Sequence, residues 1–313
     1  MSNTLEGRVV IVTGGGRGIG RSVAKLLAGE GARVVVNDLG SAVDGAGSDA
    51  GPAQDVVQEI KEAGGTASSN PNDVSDYAAA GALVQQAIDQ YGQLDVLVNV
   101  AGILRDRMLF NMEPEEWDAV IRVHLRGTFS TTRHAAAYWR GLRNRDGHFR
   151  IINFTSVAGL FGAPSQPNYA AAKMGIVGFT YSCANGLAHY GVTANVISPG
   201  ALTRMTDSIP SGKRNVEADS TAEVGVLSPD NVAPAVAYLA SEASDWITGQ
   251  VIHAQGTQVG LYSKPEVIAK VAGPKPLTVD EVFAAFETTF RPKLEHSENF
   301  YEVARRAAQA ERG

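Results

Sequence analysis

Short apolar runs alternate with longer amphipathic stretches along most of this chain. The runs at residues 8–13 (RVVIVT) and 33–38 (RVVVND) are continuous and rich in β-branched residues, which is typical of strands buried on both faces of a parallel sheet. The stretch RSVAKLLAGEG between them has the spacing of an amphipathic helix that ends at a glycine. The pattern therefore predicts an α/β fold built on a parallel sheet.

The same alternation continues towards the C-terminus. Further strands are predicted at residues 66–70, 94–102, 151–152, 192–198 and 249–260, and helices at residues 52–63, 75–91, 114–139, 167–190 and 229–240. The helix that begins near Pro114 is predicted to be one continuous element, long enough to cross the domain.

Two segments lack this periodicity. Residues 41–51 (SAVDGAGSDAG) are small and polar, and we interpret them as a flexible surface insertion. Residues 202–226 are polar, mixed in charge and follow the end of a strand. A long irregular segment in that position is a candidate substrate lid.

The pattern changes again after residue 260. Thr278 is followed three residues later by Glu281, and this spacing predicts a capping box that opens an amphipathic helix. Residues 261–313 are too few to form an independent domain. They are therefore predicted to be a helical extension of one domain that occupies residues 1–260.

Composition and charge narrow the classes of partner. The 313 residues include 27 basic and 33 acidic side chains, which gives a net charge of -6 with no basic block, so neither nucleic acid nor an anionic membrane is an expected partner. The first apolar run is too short for a signal peptide or a membrane span. The single cysteine, Cys183, excludes an internal disulfide framework. A cytoplasmic setting is the default expectation.

A glycine-rich loop, TGGGRGIG, stands between the first strand and the first helix. Gly14, Gly18 and Gly20 have no side chain, so backbone amides at the helix N-terminus can approach a pyrophosphate. Asp38 ends the second strand, where an acid can accept hydrogen bonds from the adenosine ribose. A carboxylate there repels a 2′-phosphate, which predicts NAD over NADP. A loop aspartate that caps the next helix is the alternative reading.

Three chemically reactive side chains lie near the middle of the chain. Tyr169 and Lys173 are four residues apart, so a helix that begins near Pro167 places phenol and ammonium on one face, where the cation can lower the tyrosine pKa. Ser156 lies at the predicted exit of a strand. A hydroxyl, a phenol and an ammonium could therefore converge on one reacting oxygen.

Four further positions, Asp73, Val74, Asn99 and His124, are singled out outside these motifs. Asp73 and Val74 follow the third strand, where an adenine ring would lie. Asn99 is interpreted as a loop-stabilising amide rather than a catalytic group. His124 lies inside a predicted helix, where a lone histidine is usually a satisfied core or interface residue.

Taken together, these motifs resemble the short-chain dehydrogenase/reductase family. TGxxxGxG, NxAG, the serine, YxxxK and PG occur in the family's order between residues 5 and 260. The resemblance implies a doubly wound, Rossmann-like parallel sheet of about seven strands with helices on both faces. It also implies acid/base catalysis by Tyr169, with Ser156 bonded to the substrate oxygen and Lys173 bonded to the nicotinamide ribose. The implied cofactor-binding residues are Gly14, Arg17, Gly18, Ile19, Gly20, Asp38, Asp73, Val74, Asn99, Ala101, Gly102, Tyr169, Lys173, Pro199, Gly200 and Leu202.

Two positions depart from the general family pattern. His124 replaces the usual asparagine of the long helix, and the threonine that normally follows PG is matched imperfectly by Thr203 and Thr206. The tracts VVNDLG, AGILRDRM, RVHLRGTF and RMT resemble the dehydrogenase part of the peroxisomal multifunctional enzyme type 2 (D-bifunctional protein). That likeness makes His124 a candidate fourth catalytic residue, in a relay or positioning role.

The narrower resemblance implies NAD-dependent oxidation of a (3R)-3-hydroxyacyl-CoA to the 3-oxoacyl-CoA. A 17β-hydroxysteroid dehydrogenase of sterol metabolism, a 3-oxoacyl reductase and a non-catalytic dinucleotide sensor are the alternatives. No metal is expected, and the partners are a small-molecule substrate (an acyl-CoA or a steroid) and further copies of the chain in a homodimer or homotetramer. The chain ends in ERG without a peroxisomal SKL signal, so a stand-alone cytoplasmic enzyme is expected.

Overall fold

The computed structural model describes residues 4–201 and 225–294. Within these ranges, eight strands form one sheet in the order β3-β2-β1-β4-β5-β6-β7-β8, and only the last pairing is antiparallel. The strands are β1 (Val9–Thr13), β2 (Arg33–Asn37), β3 (Thr66–Asn70), β4 (Val96–Asn99), β5 (Phe149–Phe154), β6 (Val192–Gly200), β7 (Val251–Gln255) and β8 (Gln258–Leu261).

Helices cover both faces of this sheet, as the resemblance implied. The α-helices of the described ranges are α1 (Gly18–Gly29), α2 (Gly51–Glu62), α3 (Tyr77–Tyr91), α4 (Pro114–Ile121), α5 (Gly127–Leu142), α6 (Val157–Phe161), α7 (Pro167–Leu187), α8 (Ala233–Ala240), α9 (Val279–Ala285) and α10 (Arg291–Leu294). None of the described helices is long and apolar enough to cross a membrane.

Strand β1 shows why the apolar runs are continuous. Its side chains alternate between two cores: Val10 and Val12 pack under α1, α2 and α8, whereas Val9 and Ile11 pack under α3, α5 and α7. All four side chains are fully buried. A strand covered on both faces needs apolar residues at every position, which confirms the reading of RVVIVT.

The structure corrects two predicted elements. Residues 249–260 form two strands rather than one, because the chain reverses at Gly256 (φ 53°) and adds β8 antiparallel at the sheet edge. The long helix predicted from Pro114 is interrupted by a π-helical turn, Arg122–Arg126. The segment at residues 41–51 lies at the surface, where the Leu104 N–H donates to the Val43 carbonyl (2.8 Å), and its flexibility stays a prediction.

The described chain forms two compact units, with the boundary between residues 262 and 263. The second unit contains α9, whose capping box between Thr278 and Glu281 is present as predicted. That residues 261–313 belong to the same domain as the sheet stays a prediction. Apart from residues 225–226, the candidate lid lies outside the described residues, as do Thr203 and Thr206.

Candidate active site

The glycine-rich loop joins β1 to α1 and approaches other backbone closely. Gly14 has φ 65°, and a Cβ there would lie 2.8 Å from the Ala101 backbone. A Cβ at Gly20 would lie 2.0 Å from the Gly14 carbonyl oxygen. The Thr13 hydroxyl accepts the backbone N–H groups of Val100 (3.1 Å) and Ala101 (3.3 Å). The loop is therefore closed against the exit of β4, and only glycine fits its two tightest positions.

The other predicted residues of this loop have mixed surroundings. Gly18 has φ 50°, which favours glycine. Arg17 donates to the Ser41 carbonyl (3.2 Å). The Ile19 side chain packs against the core under α1, so any contact it makes with a cofactor comes from its backbone.

Asp38 follows β2 and lies directly beside the glycine-rich loop. Its carboxylate accepts the N–H groups of Gly16 (2.8 Å) and Gly40 (2.7 Å). Helix α2 begins at Gly51 with Ala50 at its N-cap, so the alternative reading of Asp38 as a helix cap is wrong. Each carboxylate oxygen keeps acceptor capacity for ribose hydroxyls, and this geometry fits a bound dinucleotide.

Asp73 and Val74 follow β3, as predicted, and both side chains contact other parts of the protein. Asp73 accepts the Ser75 N–H (2.8 Å) and the Ser75 hydroxyl (2.6 Å). Val74 is buried and lies under Gly127, where an added Cβ would be 3.1 Å from the valine side chain. Helix α3 begins later than predicted, at Tyr77. Contact of either residue with adenine stays a prediction.

Asn99 is a structural amide, as the sequence suggested. It is buried, it donates to Asn153 (2.9 Å) and Thr132 (3.2 Å), and it accepts the Thr131 hydroxyl (2.8 Å). This network ties the end of β4 to β5 and α5. The side chain of Asn99 therefore supports the floor of the site rather than taking part in proton transfer.

Ser156, Tyr169 and Lys173 come together beyond the C-terminal end of β5. Ser156 caps α6, and its hydroxyl is close enough to the Tyr169 phenol to lower the pKa of that phenol. Lys173 lies one turn after Tyr169 on α7, with Nζ 5.5 Å from the centre of the tyrosine ring. Its ammonium donates to the Phe154 carbonyl at the end of β5 (3.0 Å). The predicted convergence of hydroxyl, phenol and cation is present.

The electrostatics of this trio differ from the prediction. Burial raises the pKa of Tyr169 to about 12, against the opposing effect of the hydrogen bond with Ser156. Burial also lowers the pKa of Lys173 to about 7. The lysine therefore carries only part of its charge near neutral pH, and it does not offset the cost of burying a phenolate. The expected fall in the tyrosine pKa is absent in this state.

His124 joins the trio from the π-helical turn between α4 and α5. It is buried and lies edge-on to the Tyr169 ring, with 5.1 Å between ring centres. Its Nε2 lies 2.8 Å from the carbonyl oxygen and 3.0 Å from the amide nitrogen of Ile103. A Cβ at Gly102 would lie 2.1 Å from the imidazole, so the position of this histidine requires glycine at residue 102.

The strand β6 ends with Pro199 and Gly200, which pair with the end of β7. A Cβ at Gly200 would lie 2.2 Å from the Gln255 side-chain oxygen. Leu202 lies outside the described residues. Contact of Pro199, Gly200 and Leu202 with a cofactor stays a prediction.

Sequence reasoning missed one fully buried polar residue of the site, Asn168. Its side chain bonds three backbone groups. An asparagine directly before Tyr169 in the first helical turn was the available signal, since this residue type favours helix N-termini. Two of its three partners come from more than 50 residues away and have no local signature.

The model of the short chain dehydrogenase family matches residues 8–214. The chain belongs to this family. It is 47% identical over 271 residues to the hydroxyacyl-CoA dehydrogenase ChsB1 of Mycobacterium tuberculosis, an alignment that covers 84% of this chain and 82% of that protein. The protein is therefore an oxidoreductase that acts on CH–OH groups with a nicotinamide dinucleotide.

Three other comparisons agree with this assignment. The chain is 39% identical to a peroxisomal hydratase-dehydrogenase-epimerase of Neurospora crassa, over 81% of this chain and 27% of that protein. It is 40% identical to a 3-oxoacyl-[acyl-carrier-protein] reductase of Staphylococcus aureus, over 80% and 97%. A short chain dehydrogenase from Mycobacterium avium has a similar structure, with 43% identity, a TM-score of 0.80 and coverage of 92% and 96%.

Proposed function

We propose that the protein oxidises (3R)-3-hydroxyacyl-CoA to 3-oxoacyl-CoA with NAD. The observation that carries the reaction type is the convergence of Ser156, Tyr169 and Lys173 beside the glycine-rich loop. The relationship to a hydroxyacyl-CoA dehydrogenase supports the substrate class. Asp38 supports NAD, because its carboxylate stands beside the loop and repels a 2′-phosphate.

A nicotinamide bound at the glycine-rich loop and Asp38 would supply the hydride acceptor for oxidation of the substrate carbon. The Tyr169 phenolic oxygen takes the hydroxyl proton in the same reaction, so that a carbonyl forms. The Ser156 hydroxyl lies close to the phenol, where it would donate a hydrogen bond to the substrate oxygen. Lys173 stands one helical turn away, fixed by the Phe154 carbonyl. It holds the nicotinamide ribose and favours the phenolate when it is charged.

The pKa of about 12 for Tyr169 describes the site before substrate and cofactor are added. Oxidation requires the phenol to lose its proton first, so turnover in this direction rises with pH. We also propose that the enzyme works in the cytoplasm as a homodimer or homotetramer.

Two other activities have specific support. The likeness to a 3-oxoacyl reductase favours reduction of the corresponding ketone, but Asp38 disfavours the NADP that biosynthetic reduction usually draws on. Oxidation of a 17β-hydroxysteroid is the second, and it rests on the sequence resemblance to the multifunctional enzyme type 2. A non-catalytic dinucleotide sensor would have no need of the Ser156, Tyr169 and Lys173 arrangement.

Steady-state assays with (3R)- and (3S)-3-hydroxyacyl-CoAs and a 17β-hydroxysteroid, each with NAD and NADP, test the proposal. The (3R)-hydroxyacyl-CoA with NAD is expected to react fastest. Tyr169→Phe is expected to lower kcat by about 10³-fold while it keeps NAD binding, because only the proton-transferring hydroxyl is removed. Tyr190→Phe is the matched control, because Tyr190 lies just after the C-terminal end of α7, whereas Tyr169 lies in its first turn.

The outcomes separate the candidates. Turnover of the steroid alone would replace the proposed substrate, and a faster reaction with NADP would favour the reductase. A Tyr169→Phe variant as active as wild type would contradict the catalytic assignment altogether. Absence of turnover with every alcohol, together with retained NAD binding, would favour the sensor.

A further inference from the structure

We propose that Asn168 is a positioning residue for Tyr169, which it ties to two distant segments of the chain. The proposal rests on the proposed function, since it takes Tyr169 as the acid/base. Asn168 is fully buried. Its side-chain oxygen accepts the Tyr169 N–H (2.7 Å), and its amide donates to the carbonyls of Arg105 (3.0 Å) and Glu116 (3.1 Å). Both donors of the amide are therefore used by backbone.

The start of α7 explains why this amide matters. Gln166 stands at the N-cap without a capping bond from its side chain, and Pro167 has no N–H. The first turn of a helix leaves its N–H groups without partners inside the helix. The Asn168 side chain fills this role for the Tyr169 N–H, so the backbone of the catalytic tyrosine is held by its neighbour.

Residues 105, 106 and 107 are each hydrogen-bonded to the part of the chain where α7 begins, residues 165–168. The Arg107 N–H donates to the Ser165 carbonyl (2.8 Å), and the Gln166 side-chain amide donates to both oxygens of the Asp106 carboxylate (2.9 and 3.1 Å). Together with the bond from Asn168 to Arg105, each of three consecutive residues is joined to the start of α7. We call residues 105–107 the strap.

The strap also connects the tyrosine to the rest of the site. It follows Ile103, whose backbone is held by His124, and the ring of His124 lies against the Tyr169 ring. The Asp106 carboxylate is close enough to raise the Tyr169 pKa, although less than burial does. Gln166 donates to both oxygens of this carboxylate and so helps to hold the charge in place.

Loss of the Asn168 amide would remove its hydrogen bonds to the Arg105 and Glu116 carbonyls and free the first turn of α7. Ser156 is the N-cap of α6 and the Lys173 ammonium is held by β5, so a shift of this turn moves Tyr169 relative to both. A displacement of the reacting group by about 1 Å lowers turnover by about 10²-fold. The glycine-rich loop is on β1 and α1, so nucleotide binding should change little.

The test compares Asn168→Ala with Asn195→Ala. Asn195 is a matched control because it is also buried, donates to the Ile247 carbonyl (2.9 Å) and accepts the Gln250 N–H (3.1 Å), away from the active site. We expect kcat to fall by about 10²-fold in Asn168→Ala, with the NAD Kd within about twofold of wild type. The pH profile of kcat should shift in this variant alone, because a misplaced phenol changes its surroundings.

A second variant keeps the proposal falsifiable if Asn168→Ala does not fold. Gln166→Met keeps the length of the side chain and removes only the bond to Asp106. We expect a smaller loss of kcat, by about tenfold, and a shifted pH profile. Equal kcat losses in Asn168→Ala and Asn195→Ala at equal loss of thermal stability would overturn the proposal, as would wild-type kcat and pH profile in Gln166→Met.

Failure of this inference is distinguishable from failure of the proposed function. An active wild type, an inactive Tyr169→Phe and an unaffected Asn168→Ala would reject the positioning role alone. An unaffected Tyr169→Phe would reject the catalytic assignment on which the role depends. The assay uses whichever alcohol the wild-type enzyme oxidises fastest, so it does not depend on the substrate proposed.

Discussion

The imidazole of His124 is kept neutral by its surroundings. Burial, with a smaller contribution from the nearby Lys173, lowers its pKa to about 3, and the bond to Ile103 only partly opposes these two effects. Nε2 is engaged by the Ile103 backbone, and Nδ1 is buried with no hydrogen-bond partner among the residues that the structure describes. A relay through this ring would have to break the Ile103 contact, so the arrangement favours a positioning role over proton transfer.

This neutral state has a measurable consequence for stability. In the unfolded chain a histidine gains a proton below about pH 6.5, whereas folded His124 stays neutral down to a pKa of about 3. The unfolded state therefore binds the extra proton in this window, and the free energy of unfolding falls as the pH falls. The loss is on the order of 2–3 kcal/mol between about pH 7 and about pH 4.5.

The variant His124→Asn should lack this pH-dependent loss in the free energy of unfolding. We expect the difference in free energy of unfolding between wild type and His124→Asn to move in favour of the variant as the pH is lowered, because asparagine does not titrate. Urea unfolding at the two pH values measures it. The exposed His189 provides the control, His189→Asn. A difference that does not depend on pH would mean that the folded ring takes up a proton as easily as the unfolded one.

At the scale of elements, β5 is anchored at the end of the sheet opposite to the active site. Arg150 is 1% exposed, and it donates to the Ser241 carbonyl (3.0 and 3.1 Å) and the Ser244 hydroxyl (3.1 Å). It also pairs with Asp245, which His148 contacts at 2.8 Å. This cluster fastens the first residues of β5 to the chain that follows α8.

Asp245→Asn would leave the buried guanidinium of Arg150 without its countercharge. We expect a loss of about 1–3 kcal/mol in the free energy of unfolding at neutral pH, less than for a fully buried pair because Asp245 is half-exposed. Burial raises the Asp245 pKa, but hydrogen bonds from His148 and Arg150 outweigh it and lower the pKa overall. The stabilisation is thus present above the unfolded pKa of about 3.9 and is lost as the pH falls below it.

Chemical unfolding of wild type and Asp245→Asn at neutral and acidic pH measures this effect. The difference in free energy of unfolding between the two proteins should become smaller as the pH falls. The kcat of Asp245→Asn should equal that of wild type, because the cluster is remote from the active site. Asp146→Asn, a change at an exposed carboxylate nearby, is the control. An equal gap at both pH values would show that the charge of Asp245 contributes nothing.

Another feature at this scale is the π-helical turn Arg122–Arg126. One extra residue in a helical turn rotates the side chains that follow, and such turns are frequent at functional sites. Here the turn contains His124, which meets Tyr169. The sequence has no proline at this turn to mark the interruption, which is why the pattern predicted one uninterrupted helix.

At the scale of the whole molecule, the parallel sheet brings the site residues together at the carboxyl ends of its strands. The glycine-rich loop follows β1, Asp38 follows β2, and Ser156 follows β5. Because parallel strands point the same way, the loops after them meet at their carboxyl ends, where open α/β sheets bind ligands. Residues more than 100 positions apart therefore contribute to one site.

Cofactor binding should stabilise the whole folded molecule. A ligand present at about 100 times its Kd adds about 2.7 kcal/mol to the free energy of unfolding, so NAD should raise Tm by several degrees. NADP should raise it less, because Asp38 repels the 2′-phosphate. In Asp38→Asn we expect NAD and NADP to raise Tm by similar amounts.

A thermal-shift titration with both nucleotides measures this preference without an alcohol substrate. Asp55→Asn, which changes an exposed acid on α2, should keep the wild-type difference between the nucleotides. Equal shifts from NAD and NADP in the wild type would contradict the proposed cofactor. An unchanged preference in Asp38→Asn would mean that Asp38 does not contact the ribose.

The sequence by itself determined the alternation of strands and helices, the glycine-rich loop and the Tyr169–Lys173 pair on one helix. These features depend on local spacing and side-chain type, which neighbouring residues largely settle. Thr278 and Glu281 were predictable for the same reason. The antiparallel β8 was not, since its pairing at the sheet edge depends on a reversal at Gly256.

Only the tertiary structure decided how the site residues are held and charged. The partners of Asn168 come from the strap and from α4, and the neutral state of His124 follows from burial against Ile103 and Lys173. The raised pKa of Tyr169 follows from burial too, against the effect that spacing alone suggested. Desolvation and long-range hydrogen bonds depend on what surrounds a group in space, and a linear pattern does not contain that information.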